Sequence, residues 1–360
     1  MHNKSRLKIW VCEYVSAGGL ASEPLPASLL QEGLLMRDAL LADLSALGVD
    51  CITSHDSRVA APQHAASHAV HPDEDPYTLW RQQLSTHDID ACWVIAPETG
   101  GILYDMHTLV QAANKPWIGC TAKGIQQTSV KSLMTDMCQQ AGVPVLPYVF
   151  LDQAEPLESL PWYGDAVLNG WVIKPDDGAG CESTYYFNNM LEFIEFKNKN
   201  KLNELVSSSR CLLQPYLPGR ALSMSVLSTL DQVKVIAGHE QLITVEESMF
   251  RFQGAGVNQA ADYLPAMQDL AEQVHHAIPG LLGYWGADMI LTADNQLILV
   301  EVNPRLTTPY MALSQLLSDN PAEMILDAVL NQLLNPAIAK SSTTLTLATA
   351  AIAREESLLV

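Results

Sequence analysis

Asp288, Glu301 and Asn303 bring three oxygen-bearing side chains into one stretch, residues 283–310, GYWGADMILTADNQLILVEVNPRLTTPY. It reads as a β-hairpin with strands at 286–292 and 296–303. Asp294-Asn295 lies between them and suits a two-residue turn, since both tolerate the left-handed backbone. With Ala293 paired to Gln296, the register sets Asp288 directly opposite Glu301, and Asn303 shares that face two residues on. Met289, Leu291, Ile298, Val300 and Val302 are then expected on the other face. Opposed carboxylates repel, so a strand pair does not gain stability by holding them there. A hard divalent cation would remove the conflict; Mg²⁺ prefers one or two carboxylates completed by substrate phosphates. Pro304 cannot continue the ladder. Arg305 follows at its mouth, with a fork suited to phosphate or carboxylate. Taken alone, the hairpin fits equally well an edge whose acids face water.

A site of this kind needs a positive side. Lys131 lies in a segment, 121–140, that reads as one helix closed by Gly142 and Pro144, with Ser129 and Ser132 flanking the lysine. Lys174 ends the strand-like run GWVIKP, and DDGAGCES follows, with Gly178 and Gly180 in a polar loop before a returning strand at 184–187. Backbone N–H groups in such loops form anion-binding concavities, so this hairpin could fold over a polyphosphate. A solvated helix lysine and a plain glycine turn are the ordinary alternatives.

The elements that must position these groups fall into two grammars. Up to about residue 119, apolar runs at 7–15, 50–54, 90–96 and 116–119 alternate with helical patterns at 28–47 and 76–86. That alternation implies a parallel sheet covered by helices. The loops Ser16-Ala17-Gly18-Gly19 and Glu98-Thr99-Gly100-Gly101 end two of the strands and would line a cleft. Residues 59–76 read as a loop. Beyond residue 145 the pattern is antiparallel: strands at 148–151, 170–175, 210–217, 221–229 and 232–239, then alternating apolar residues to 252 and a flexible Gln253-Gly254-Ala255-Gly256. Residues 197–209 read as a polar excursion, and helices are expected at 267–278, 311–317 and 322–334. The tail from 341 carries no motif.

Composition narrows the function. Forty acidic residues against 20 basic give a net charge of −20, which excludes a generalised nucleic-acid surface. A small anionic substrate remains compatible if a few basic residues and a metal are focused in one cleft. The seven cysteines are scattered without a C-x-x-C pair and read as buried thiols of a reducing compartment. No apolar run reaches transmembrane length and no signal peptide is read, so a cytoplasmic protein without membrane partners is expected.

Four segments in order now match a family: Lys131 before AGVP, Lys174 with DDGAG, LQPYLPG at 213–219, and GAD…EVNPR at 286–305. The set resembles the ATP-grasp superfamily over residues 1–335. The resemblance implies an α/β and α+β fold: a Rossmann-like domain at 1–118, a small lobe with the glycine loop at 119–213, and a large lobe with the metal site at 214–335, leaving 336–360 unassigned. ATP would lie between the lobes, and a carboxylate would be activated as an acyl phosphate for attack by an amine. Lys131 and Lys174 would contact phosphates, Lys174 also reaching the adenine and serving catalysis. Gly178 and Gly180 would cover the phosphates, while Gln214 and the backbone at Tyr216 and Leu217 would form the adenine hinge. Asp288, Glu301 and Asn303 would hold Mg²⁺, with Mn²⁺ as a substitute. Arg305 would steady the transferring group.

Two positions depart from the family pattern. The acids that commonly hold the ribose are replaced by Pro215 after Gln214 and by Arg220 and Ala221, leaving Ser223 or a backbone group for that contact. The arginine that D-alanine ligases carry two residues before the first metal acid is Gly286 here. Within the superfamily, CEYVSAGG at 12–19 and KPDDGAGCE at 174–182 most resemble tyramine–glutamate ligases of methanofuran biosynthesis. This implies L-glutamate and an aromatic amine as small carboxylate and amine substrates. By position, Glu13, Ser16, Gly18 and Gly19 could face the acceptor cleft; Arg251 could hold a substrate carboxylate, against the ordinary alternative of a surface arginine, and His239-Glu240 could supply a base, against that of a structural histidine. A homodimer is left open, as are three other readings on the same fold: a ligase for another amino acid or small carboxylate, a small-metabolite kinase, and a nucleotide-binding regulator without turnover.

Overall fold

The structure, a computed structural model, describes residues 6–154, 156–178, 181, 183–198 and 210–347. Its first unit is built on Lys8–Glu13 (β1), in which Ile9 and Val11 alternate with Trp10 and Cys12. Both sets are apolar, so both faces of the strand must be covered, as in the centre of a parallel sheet. The other strands are Asp50–Asp56 (β2), Ala66–Val70 (β3), Ala91–Ile95 (β4) and Trp117–Ile118 (β5). They form a five-stranded sheet of order β3-β2-β1-β4-β5 with every pair parallel. β3 lies inside the stretch expected to be a loop. Only Val70 of its five residues is buried, so no apolar period marks this edge strand.

The remaining strands among the described residues form a ten-stranded sheet whose strand pairs are all antiparallel. Its strands are Val149–Phe150 (β6), Trp171–Pro175 (β7), Tyr185–Phe187 (β8), Cys211–Pro215 (β9), Arg220–Ser228 (β10), Val233–Glu246 (β11), Met249–Val257 (β12), Gly283–Leu291 (β13), Leu297–Asn303 (β14) and Thr343–Thr346 (β15). The order is β14-β13-β10-β11-β12-β8-β7-β9-β6, with β15 added beside β12. Two expectations are corrected here. Residues 253–256 are not a flexible connection but part of β12, and residues 343–346 of the tail are a strand. One glycine links the two facts: Gly254 has φ +137°, and a Cβ there would lie 2.0 Å from the Leu345 carbonyl oxygen, so β15 can approach only because position 254 lacks a side chain. The excursion at 197–209 lies largely outside the described residues.

Packing divides the molecule unequally. On one side of the parallel sheet, Trp10, Cys12, Val94 and Met106 share a core with Leu222, Met224, Trp285 and Leu299. On the other side, Val11, Leu40, Leu44 and Trp93 share a core with Tyr284, Leu306, Tyr310 and Leu313. The N-terminal unit and the β10–β14 part of the large sheet are therefore welded. The β6–β9 part has a separate core around Trp171, Ile173, Phe187 and Phe193. Its strand link to the rest is the short contact of β8 with β12, where Tyr185 meets Met249. Among the described residues no helix is long and apolar enough to cross a membrane.

Candidate functional site

The hairpin β13–β14 puts Asp288 opposite Glu301 and Gly286 opposite Asn303, as read from the sequence. It does so by a different route. Thr292 N–H donates to the Gln296 carbonyl, so the loop holds three residues, and Asn295 takes the left-handed position at φ 59°. Near the loop Met289 pairs with Leu299, and a register shift between Asp288 and Met289, with Val300 as the extra residue on β14, restores the expected pairing of the acids. The faces change accordingly. Leu297 and Leu299, rather than Ile298 and Val300, join Met289, Leu291 and Val302 in the core.

Glu301 is buried, at 8 % exposure, and Asp288 is half-buried. Asp288 accepts from Gln241 Nε2 at 2.9 Å and from Asn303 Nδ2 at 3.4 Å. Burial and then the facing Glu301 push the Asp288 carboxyl up to about 8, against the opposing pull of Asn303, Arg305 and Lys131. This is the conflict that a hard cation would relieve, and an all-oxygen donor set fits it. Among the described residues no three His, Cys, Asp or Glu side chains gather as a metal cluster. A cation here would rely on Asp288, Glu301, the Asn303 carbonyl and oxygens of a bound substrate.

Lys131 is not in mid-helix. Val130 is extended, with φ −110° and ψ 109°, and splits the expected helix into Ala122–Ser129 and Lys131–Gln140. The break is made by the glycine-loop segment: Val130 forms a β-bridge with Asp177, and Lys131 N–H donates to the Asp176 carbonyl at 2.8 Å. The Asp176 carboxylate then accepts from Ser132 N–H at 2.7 Å and Ser132 Oγ at 2.8 Å, capping the new helix start. This aims Lys131 inward. Its Nζ lies 3.3 Å from Glu301 Oε2 and donates to the Gly178 carbonyl. Lys174, at the end of β7, is 6 % exposed. Burial, then Lys131, lowers its ammonium to about 8, while Glu301, Asp176 and Asp288 pull the other way. Gly180 lies outside the described residues.

At the hinge, Gln214 is buried and its Nε2 donates to the Pro147 carbonyl at 3.4 Å. Tyr216 N–H donates to the Gly170 carbonyl, its ring packs against Tyr186 and Phe250, and half-buried Leu217 follows. Ser223 pairs directly with Asp288 and so sits beside the acids. Arg305 is held by a residue whose side chain the sequence did not single out. Glu98 Oε1 lies 2.9 Å from Arg305 Nε, and Arg305 Nη2 donates to Glu98 Oε2 at 3.1 Å. The available signal was position, since Glu98 follows the C-terminal end of β4, where ligands of open parallel sheets gather.

Several acceptor-side expectations are not supported. Glu13 is 3 % exposed and accepts from the N–H groups of Val15 and Ser16, so it shapes the SAGG turn from within, and Ser16 and Gly18 are buried with it. His239 is fully buried, with one ring nitrogen bonded to Ser225 Oγ and the other accepting from Asn258 N–H, and burial lowers its pKa to about 3, so it serves the interior rather than the cleft. Glu240 is paired with Arg220, and Arg251 is exposed.

Known proteins match this arrangement along most of its length. The ATP-grasp domain model matches residues 129–309, and the pre ATP-grasp 3 domain model matches 49–125. A tyramine–L-glutamate ligase from Methanocaldococcus fervens is 24 % identical over 301 residues, 82 % of this chain and 86 % of that protein. Its namesake from Methanocaldococcus jannaschii is 23 % identical over 226 residues, 62 % of this chain and 58 % of that protein. The structure of N5-carboxyaminoimidazole synthetase from Staphylococcus aureus with ADP superposes with a TM-score of 0.69 at 14 % identity, covering 96 % of this chain and 83 % of that one. With half of its length inside the domain model and the same fold throughout, the chain belongs to the ATP-grasp family.

Proposed function

We propose that this ATP-dependent, C–N bond-forming ligase joins the γ-carboxyl of L-glutamate to a primary aromatic amine such as tyramine, a step suited to methanofuran-type cofactor biosynthesis. The meeting of Lys131 with Glu301 is the observation that carries the ligase chemistry, because it sets a phosphate-binding cation against a metal-binding acid in one buried cleft. The choice of substrates is supported by the tyramine–L-glutamate ligase that this chain resembles over 82 % of its length.

In this reading ATP lies between β6–β9 and the β10–β14 part of the sheet. Lys131, Lys174 and the Gly178 loop receive its phosphates, and Gln214, Tyr216 and Leu217 face its base. Asp288, Glu301 and Asn303 would hold Mg²⁺, which supplies charge neutralisation between the phosphates. The substrate carboxylate oxygen attacks the γ-phosphorus, ADP leaves, and an acyl phosphate forms. Arg305 steadies its charge. The amine nitrogen then attacks the carbonyl carbon, the C–O bond to phosphate breaks, and the nitrogen gives up a proton as the amide forms.

Mass spectrometry after incubation with ATP, Mg²⁺, L-glutamate and a mixture of amines including tyramine tests this directly. A γ-glutamyl amide of tyramine, with ADP and phosphate, is expected. An amide with a different acid or amine would overturn the substrate assignment, and a stable phosphorylated product without an amide would indicate a kinase.

A further inference from the structure

We propose that Glu98 is the positioning residue for Arg305, fixing the plane of its guanidinium so that the tip of the fork meets the reacting acyl group; this rests on the ligase reading above. Arginine offers five N–H donors in one plane. In this protein Nε and Nη2 face the two Glu98 oxygens at 2.9 and 3.1 Å, and Nη1 donates to the Leu306 carbonyl at 3.1 Å. Nη2 and Nη1 each commit one N–H in this way, while Nε, which makes no hydrogen bond, is held beside Glu98 Oε1 by charge. One N–H on Nη1 and one on Nη2 are left for an anion. Both partners are withdrawn from water, with side chains 12 % and 5 % exposed, so the pair is not the mobile contact of two surface residues.

The origin of Glu98 gives the pair a second meaning. Arg305 follows the β13–β14 hairpin, whereas Glu98 follows β4 of the parallel sheet. The contact therefore fixes the hairpin mouth to the edge of the N-terminal unit. The next residues of the same turn reach the glycine loop, where Gly100 N–H donates to Asp177 Oδ2 at 3.3 Å. One short turn thus touches both the arginine and the loop expected over the phosphates. Glu98 contacts no reacting atom in this arrangement and acts through Arg305.

Hydroxylamine, which traps an acyl phosphate as a hydroxamate without the natural amine, isolates the step concerned. With ATP, Mg²⁺ and L-glutamate, the full chain carrying Glu98→Gln should form hydroxamate about 10- to 100-fold more slowly, the scale of a small misplacement of a reacting partner. KM for glutamate should rise while KM for ATP stays within about twofold. Glu98→Asp, which keeps the charge on a shorter arm, should recover part of the rate and serves as the test if Glu98→Gln folds poorly. Glu98→Gln added to Arg305→Lys should cost little beyond Arg305→Lys alone. Unchanged kcat and KM in folded Glu98 variants, or full additivity with Arg305→Lys, would overturn the inference while leaving the ligase reading intact. A wild-type protein that forms no hydroxamate from any acid would instead overturn the ligase reading, and this inference with it.

Discussion

Lys131 Nζ lies 3.3 Å from Glu301 Oε2, and both side chains are buried. The lysine begins a helix and the glutamate ends a hairpin, so the contact closes the cleft from two sides. Breaking a buried pair by removing one partner leaves the other uncompensated, at a cost of about 3–5 kcal/mol. Here the surroundings moderate that cost, because Glu301 also faces Asp288 and the loss of one acid relieves their repulsion.

Glu301→Gln keeps the size of the side chain and removes its charge. ADP release that depends on both acid and amine should fall roughly 100-fold or more, the scale of losing a preorganised charge from a reacting site. Circular dichroism should show the fold retained. ADP production equal to that of the wild type would exclude Glu301 as a metal ligand.

Lys174→Met should trade activity for stability. The buried ammonium is lowered from 10.5 to about 8. The unfolded chain therefore binds the proton more tightly, and native Lys174 carries a penalty of about 3 kcal/mol below pH 8. The penalty shrinks as pH rises from about 8 to 10.5, where the folded state has released its proton and the unfolded state has not. Thermal melts at pH 7 should show Lys174→Met more stable than wild type, with the gap closing toward pH 10. Nucleotide affinity should drop in the same variant. A gap that widens with pH would contradict the buried, destabilised ammonium.

Cation binding should release a proton. Burial and the facing Glu301 raise the Asp288 carboxyl to about 8, so the acid pair holds a proton at neutral pH that a cation must displace to bind. Apparent Mg²⁺ affinity in the presence of nucleotide should rise by up to about tenfold per pH unit as pH increases toward 8, then level off. Calorimetry in two buffers of different ionisation enthalpy would count the proton. Flat affinity from pH 6 to 8 would exclude Asp288 as a ligand with this titration.

What could be read from the chain follows from where each constraint resides. The pairing of Asp288 with Glu301 was legible because strand parity carries the acids to one face. The three-residue loop and the compensating bulge at Val300 were not, since loop and bulge each shift the register by one and cancel at the acids. The helix break at Val130 had only a β-branched residue as a local sign; what imposes it is pairing with Asp177, which sequence periodicity cannot show. β3 was invisible because an edge strand of mixed small and polar residues has no buried face to pattern. Glu98 lay in a loop already noted for its glycines, but its partner is 207 residues away.

Asp176 is the residue through which these levels meet. Its carboxylate takes both hydrogen bonds from Ser132, and its carbonyl takes the Lys131 N–H, so it fixes the helix start from which Lys131 reaches Glu301. Asp176→Ala leaves two donors of a buried helix start without their acceptor. The loss should be about 1–2 kcal/mol, comparable to removing an N-cap. The functional effect should exceed what stability alone explains. Lys131 loses the cap that aims it, and the Lys174 ammonium, which Asp176 helps to keep protonated, moves further below its present value of about 8. Both changes weaken the positive side of the cleft. KM for ATP should rise several-fold at pH 7 and further at pH 8, while Asp176→Asn, retaining one acceptor oxygen without the charge, should be affected less in melting temperature than in KM. Steady-state kinetics at the two pH values, with parallel melts, separates these effects. A lowered melting temperature with KM for ATP unchanged would reduce Asp176 to a structural cap.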